Sequence, residues 1–562
     1  MPAAAPAAGP AAVSADCIIV GAGFSGCYAL YKLRQQGYSA KLIDAGADFG
    51  GVWHSHRYPG ALVDSPPPIY QLSIPRVRQG FHFGLKYPDQ CTMQAYFQHV
   101  AEVLDLRRDA IFRHSIFDAR YDSDTGFWHL WSDKGLHATG WYVFFATGTT
   151  NKTYVPKFQG LERFRGRWVH THDWPDDLNL GDKKKIALIG QGSTGTQVAQ
   201  EIAKLDADVT VFVRTPNIAY PLRQRTLTAG ETERWKSLYQ EYSPHAKPSR
   251  WATISMNTPA RSFGEETAEQ RRENWETAWK NGGFDIITGN YPEILTDKTA
   301  NAAFYEFWKE KTLPRIKDPG KRKFLVPDQQ PVWFMARRPV LEDDYYEMMD
   351  RDNVTLIDLK RTPIKEFTET GIVTEEPCPC ATTTTTTTQT LREFDLVILA
   401  TGYDAITGSL YDMHIRDRRG ALLQDKWRDG VRTHMGMTVP GVPNAFLLYG
   451  PQAPGPLTNG PTFIELQVDL LCGLLARARA DGRRVLEVTE AAAARWRAKL
   501  YAGYEALLAS EADSSWWVGG NIPGKTREPL TWFSGLPAWR KECEESLRTR
   551  DDFEPVKRAT KL

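Results

Sequence analysis

Two short glycine runs carry the first recognisable chemistry of the chain. Gly21-Ala-Gly23-Phe-Ser-Gly26 and Gly190-Gln-Gly192-Ser-Thr-Gly195 have the spacing that lets a backbone turn tightly and approach a diphosphate, whose charge then rests at the positive end of the following helix. Asp44 follows the first run at about the twenty-residue distance at which a carboxylate meets ribose hydroxyls. After the second run the equivalent strand ends in Arg214-Thr215 instead. A carboxylate repels a ribose 2′-phosphate, whereas a guanidinium grips it with paired charge-assisted hydrogen bonds. The pattern predicts FAD at the first site and NADPH at the second; a solvated charge at a strand end is the other reading of Arg214.

These residues need strands before them and helices behind them, and both are legible. Cys17-Ile-Ile-Val20 and Lys185-Ile-Ala-Leu-Ile189 are apolar runs rich in β-branched residues that stop at a glycine turn, with Ala40–Ile43 and Val209–Val213 as the second strands. The fold class is α/β, with two Rossmann-like dinucleotide-binding domains and a helical insertion. The expected division is a disordered tail at 1–15, an FAD-binding domain at 16–150 and 391–550, a linker at 151–175, an NADP-binding domain at 176–222 and 326–390, the insertion at 223–325, and a tail at 551–562. In this reading Phe394–Gly402 is a buried strand returning the chain to a nucleotide domain, and the turn Phe145-Ala-Thr-Gly148 closes the first one. The threonine tract Thr382–Thr388 is expected as an exposed hairpin or loop, and Cys378-Pro-Cys380 lacks the clustered partners a metal site needs. No metal is expected.

Composition bounds the rest. At 562 residues the chain exceeds one hydrophobic core, and Lys+Arg 69 against Asp+Glu 68 provides no global field for nucleic acid or an anionic membrane. Seven scattered cysteines do not form the framework of a secreted disulfide protein, and no apolar run is long enough to span a bilayer. A cytoplasmic protein with small-molecule partners is expected, as a monomer or weak oligomer. Thr560-Lys561-Leu562 approaches the peroxisomal S-K-L address with Thr in place of Ser; a basic tail is the alternative.

Between the two nucleotide motifs lies Phe164-Arg-Gly166-Arg-Trp-Val-His170-Thr-His-Asp-Trp174-Pro175. It resembles the F-x-G-x-x-x-H-x-x-x-W-P segment of type I Baeyer–Villiger monooxygenases, in the class B flavoprotein monooxygenase family. The resemblance extends over essentially the whole chain after the tail. Gly50-Gly51-Val-Trp53, Tyr58-Pro59-Gly60 and Asp64 resemble the signature beneath the flavin, Ala400–Asp404 the third glycine turn, and Ser515-Trp516 with Asn521–Lys525 the C-terminal signature.

The resemblance implies an NADPH-consuming monooxygenase that inserts one atom of O2 beside a ketone carbonyl, giving an ester or lactone through a C4a-peroxyflavin and a tetrahedral adduct, with NADP+ retained during oxygenation. It puts Arg338 at the active-site arginine, where a permanent cation keeps the peroxide ionised, and Asp64 as its charge partner. Arg337 joins Arg214 and Thr215 around the 2′-phosphate. Gly51, Trp53, Asp64 and Tyr70 become flavin contacts, and Trp516 closes over the nicotinamide ribose. His170 and Trp174 hold a hinge, with core packing as the other reading of His170. Gly455-Pro456-Leu457 aligns with a loop lining the substrate cavity. His54-Ser-His56, Pro66-Pro-Pro68 and Met335-Ala336 depart from the family pattern and alter pocket shape. The competing readings are a flavin-containing monooxygenase that oxidises sulfides or amines, a disulfide reductase, and a non-catalytic flavin sensor. The W-P ending and Arg338 weigh against the first, the cysteine spacing against the second, and the arginine-ended second site against the third.

Overall fold

The computed structural model describes residues 12–241, 261–377, 387–512 and 515–554. Its first sheet is built on β1 (Ala12–Val20), paired in parallel with β2 (Ala40–Asp44) and with β3 (His137–Phe145). Cys17, Ile18 and Ile19 are fully buried, as expected of a parallel strand covered on both faces. An antiparallel pair, Ile116–Tyr121 with Trp128–Ser132, leads into β3, and Ala445–Leu447 joins β3 in parallel from far along the chain.

The parallel ladder begins at Ala12, where Ala12–Ala15 pair with His137–Gly140. This corrects the tail boundary drawn at residue 15. Alanine and serine are weak strand formers, and the long partner strand sets their conformation.

The second sheet is wholly parallel, in the order Val354–Asp358, β6 (Asp208–Val213), β5 (Lys185–Ile189), Leu396–Leu399 and β4 (Arg167–His170). Two further expectations are revised here. Leu396–Leu399 lies between β4 and β5, so the segment assigned to the FAD-binding domain from residue 391 first completes the second sheet. Its four buried apolar residues suit either core, and register with Ile186–Ile189 decides. The fingerprint segment, expected as a linker, supplies the edge strand β4.

A two-stranded stem, Ala219–Pro221 against Val340–Glu342, carries the excursion between the two halves of this domain. Above it stand the helices Ala229–Glu241, Ala268–Asn281, Lys298–Thr312 and Pro319–Leu325. They bury Trp275, Trp279, Phe304, Phe307 and Trp308, and the Trp308 indole donates to the Ala219 carbonyl at 2.8 Å. Thr387 and Thr388 lie in the strand Thr387–Glu393, paired with Gly371–Pro377; Cys378, Cys380, the remainder of the threonine tract and Thr560–Leu562 lie outside the described residues.

Candidate active site

Each glycine run divides its work the same way. Gly21 sits at φ +117°, and a Cβ there would lie 2.4 Å from the Ala146 carbonyl; one on Gly26 would lie 1.8 Å from the Gly21 carbonyl. Gly190 repeats this at φ +109°, 2.4 Å from the Ala400 carbonyl, and Gly195 at 2.3 Å from that of Gly190. The outer glycines are therefore required by the protein's own packing. The middle ones are not: a Cβ on Gly23 meets nothing nearer than Gly51 Cα at 3.6 Å, and one on Gly192 meets nothing within 4 Å. Each leaves an open cradle at the start of its helix, Phe24–Gln35 or Ser193–Ile202, where a diphosphate fits.

Asp44 ends β2 and braces the first cradle. Its two oxygens accept from the backbone N–H of Ala22 and Gly46, both at 2.6 Å, and each keeps a further lone pair for a ribose hydroxyl. Burial pushes this carboxyl above its usual range, with the two N–H donors opposing. Gly51, at φ +56°, folds onto Gly23, placing Trp53 so that its indole donates to the Tyr70 hydroxyl at 3.3 Å. Phe24 meets Tyr70 edge-on at 5.5 Å, so an aromatic wall rises beside the first cradle.

Arg338 lies against this wall. Its guanidinium donates to the Asp64 carboxylate, and its carbon lies 5.9 Å from the Phe284 ring centroid. Burial acts to lower the guanidinium's pKa; the charge of Asp64 and its hydrogen bond outweigh this, so the group is held above its ordinary value. Its side chain is 31% accessible, so part of the guanidinium surface is left open beside the ion pair. Tyr449, at φ +56°, shares the same electrostatic neighbourhood: burial pushes its phenol up to about 12, with the charge of Arg338 opposing and that of Asp64 adding to the rise. Its hydroxyl donates to Gly455 at 2.9 Å, tying the Gly455-Pro456-Leu457 turn to the arginine.

Similarity to known proteins agrees with this geometry. Residues 19–82 match the family model of the NAD(P)-binding Rossmann-like domain. Cyclopentanone 1,2-monooxygenase of Comamonas sp. is 38% identical, with 94% of each chain covered. A Baeyer–Villiger monooxygenase of Pseudooceanicola batsensis is 34% identical over 93% of each chain. The crystal structure of OTEMO complexed with FAD and NADP superposes with a TM-score of 0.89 at 28% identity, covering 97% of this chain and 99% of that one. The chain belongs to the Baeyer–Villiger monooxygenases. It is accordingly an FAD- and NADPH-dependent flavoprotein monooxygenase.

In this Baeyer–Villiger monooxygenase the fingerprint residues meet at a junction. Phe164 is buried against Phe367 at 6.2 Å, and a Cβ on Gly166 would strike the Phe164 ring at 2.4 Å. His170 lies 3.2 Å from the Gly402 carbonyl through Nε2, while its Nδ1 accepts the His172 N–H. Trp174 is buried, and Pro175 follows it outside any strand. His56 Nε2 lies 3.1 Å from His172 Nδ1 and accepts from the Tyr403 hydroxyl at 3.0 Å. Burial first, then the neighbouring His172, favours the neutral form of His56, with a hydrogen bond to the Thr150 backbone opposing. The histidines thus join the FAD-side signature, the fingerprint and the third glycine turn.

The other expected residues are placed as follows. Arg214 is exposed and Thr215 partly buried, directly after β6, whose Phe212 carbonyl accepts the Gly190 N–H. Arg337 is half-buried beside Arg338. Trp516 is half-buried, 6.1 Å from Trp517, in a segment tied down where Asn521 donates to the Tyr403 carbonyl and Lys525 to Asp404. Sequence reasoning missed Tyr449 and Phe284; it named Tyr58, His56 and Tyr403 within their motifs but not the His56–His172–Tyr403 cluster, nor that the Tyr58 hydroxyl donates to Gln197 of the second domain at 2.8 Å. A local signal existed for one error: Ala-Thr-Gly follows the closing strand at both 146–148 and 400–402, each abutting the first glycine of its own fingerprint.

Proposed function

We propose that this enzyme inserts one oxygen atom from O2 beside the carbonyl of a small-molecule ketone, giving an ester or lactone, with Arg338 as the charge-stabilising residue. The observation that carries this reading is the Arg338–Asp64 ion pair set into the aromatic wall of the first glycine cradle. Bound FAD supplies the activated oxygen and NADPH the hydride that reduces the flavin.

The protein's own groups do the rest. A guanidinium keeps its proton at every working pH, so Arg338 stabilises negative charge at the reacting centre without protonating it. One N–H is committed to Asp64, and the remaining donors of the fork are available to a carbonyl oxygen. Asp64 offsets the cost of an isolated buried cation and fixes the plane of the fork; it needs to transfer no proton. Asp44, Gly51, Trp53 and Tyr70 serve the flavin side. Arg214, Thr215 and Arg337 serve the NADPH 2′-phosphate, with Trp516 at the nicotinamide end. His170 and Trp174 steady the hinge while the nicotinamide moves. Among the described residues no helix is long and apolar enough to cross a membrane.

The deciding experiment offers ketones and sulfides to the purified enzyme, scoring products by mass while NADPH consumption is followed. Ester or lactone formation that disappears in Arg338→Ala supports the reading. Sulfoxide formation without oxygen insertion at any ketone, or esters still formed by Arg338→Ala, overturns it.

A further inference from the structure

We infer that Asn459 and the N-terminus of the helix Gly460–Ala480 form the hydrogen-bonding site for the pyrimidine edge of the bound FAD and make the flavin easier to reduce; this rests on FAD dependence and not on the ketone reading above. Asn459 is 4% exposed and caps that helix. Its Oδ1 accepts from the Thr462 N–H at 3.3 Å and from the Thr462 hydroxyl at 3.0 Å. Accepting from a backbone N–H fixes which amide atom is the oxygen and turns the Nδ2 group away from the first turn. That group is buried and has no hydrogen-bond partner among the described residues. Capping does not account for it, because serine or aspartate would cap equally well through an oxygen alone. A buried amide donor left unpaired is costly, so its partner is to be sought in a bound molecule.

The helix stands beside the first cradle. It runs alongside Phe24–Gln35 in the same direction: the Tyr28 hydroxyl donates to Asp469 at 3.1 Å, Lys32 pairs with Asp469 at 2.9 Å, and Gln36 donates to the Cys472 carbonyl at 3.1 Å. The two positive ends, at Phe24 and Gly460, therefore open at one end of the pair. The first receives the diphosphate. The second is fastened to the aromatic wall, since Glu465 accepts from the N–H of Ser73, three residues beyond Tyr70, at 2.7 Å. A Cβ on Gly460 would lie 3.5 Å from the hydroxyl of Tyr449, which is within the electrostatic reach of Arg338 and Asp64. An isoalloxazine has one hydrocarbon half and one pyrimidine half, whose carbonyls and N1 accept hydrogen bonds and gather negative charge on reduction. Pro461 has no N–H and the Thr462 N–H is committed to the cap, so Asn459 Nδ2 supplies a donor that the first turn lacks. A donor and a helix dipole at that edge favour the reduced flavin over the oxidised one.

The test measures the flavin midpoint potential of the purified holoenzyme, anaerobically and without ketone, by equilibration with a reference dye. Asn459→Ser keeps a capping oxygen and removes the donor; its equilibrium constant for two-electron flavin reduction should fall about tenfold, which is about 30 mV. Asn459→Asp keeps the cap but turns an acceptor toward the flavin, and should lower the constant further. Far-UV circular dichroism and bound-FAD absorbance at parent levels show that fold and cofactor are in place in each variant. A serine variant that sheds FAD while keeping its fold also supports the contact, since a cap alone would not hold the cofactor. Potentials equal to or above the parent's in both variants would overturn the inference and leave Asn459 as a helix cap only. If the parent forms no ester from any ketone while the potentials shift as stated, the ketone reading fails and this site stands.

Discussion

Arg338 and Asp64 form an ion pair across 274 residues of sequence, joining the segment that leads back into the second nucleotide-binding domain to the signature beneath the first. The two domains must therefore be docked for the arginine to be neutralised. Removing either partner leaves a charge uncompensated in a deep site, which is more damaging than never having built the pair.

Arg338→Ala should abolish ester formation while NADPH still reduces the flavin. Loss of one preorganised charge-stabilising donor set lowers turnover by roughly 10²–10³. Anaerobic stopped-flow reduction alongside product analysis separates the two steps, and a parallel fall in both would place Arg338 in hydride delivery instead. Asp64→Ala should harm oxygenation more than FAD retention; loss of FAD alone would make Asp64 a structural cofactor ligand.

Arg214→Ala should weaken NADPH use without weakening NADH use. A charge-assisted hydrogen bond to the 2′-phosphate is worth about 1.5–3 kcal/mol, and Arg214 is exposed at its strand end, free to meet solvent-borne phosphate. The ratio of the two Michaelis constants measures this directly. Equal changes for both nucleotides would remove Arg214 from the phosphate site.

Much of this site was legible because its determinants are local. The glycine runs, Asp44 and Arg214 declare themselves by type and spacing, since a turn and a strand end each need particular residues. Arg338 and Asp64 were legible through resemblance. Tyr449 and Phe284 were not: a tyrosine at positive φ and a phenylalanine beside an arginine leave no periodic trace, and both acquire their place through packing between distant segments. Leu396–Leu399 was misplaced for the complementary reason, an apolar run carrying enough information to be a buried strand but not to choose its sheet.

Gly192→Ala and Gly190→Ala should fail differently. The methyl at Gly192 has open space around it, so the protein should fold, retain FAD and lose affinity for NADPH. At Gly190 the methyl would lie 2.4 Å from a backbone carbonyl at a left-handed φ, so the second domain itself should be destabilised. Thermal melting with and without NADPH tells them apart. A Gly192→Ala protein that binds NADPH normally would exclude the cradle as the diphosphate site.

The histidine junction predicts an acid-sensitive fold. Burial, then the neighbouring His172, lowers His56 to about 3, opposed by its bond to Thr150, with His170 also lowering it; burial lowers His170 and His172 as well, with Asp173 opposing in both. A histidine with a depressed folded-state pKa contributes its full stability above about pH 6.5. As pH falls below that value the unfolded chain takes up a proton that the folded chain refuses, so stability declines until His56 itself titrates near 3. At about 1.4 kcal/mol per pH unit, His56 alone accounts for about 2 kcal/mol between pH 6.5 and 5. His56→Asn should therefore flatten the dependence of unfolding free energy on pH across this window by about one proton, measured by denaturant titration at several pH values. An unaltered slope would mean that His56 takes up its proton in the folded protein, and that the contact with His172 and Tyr403 tolerates the charge.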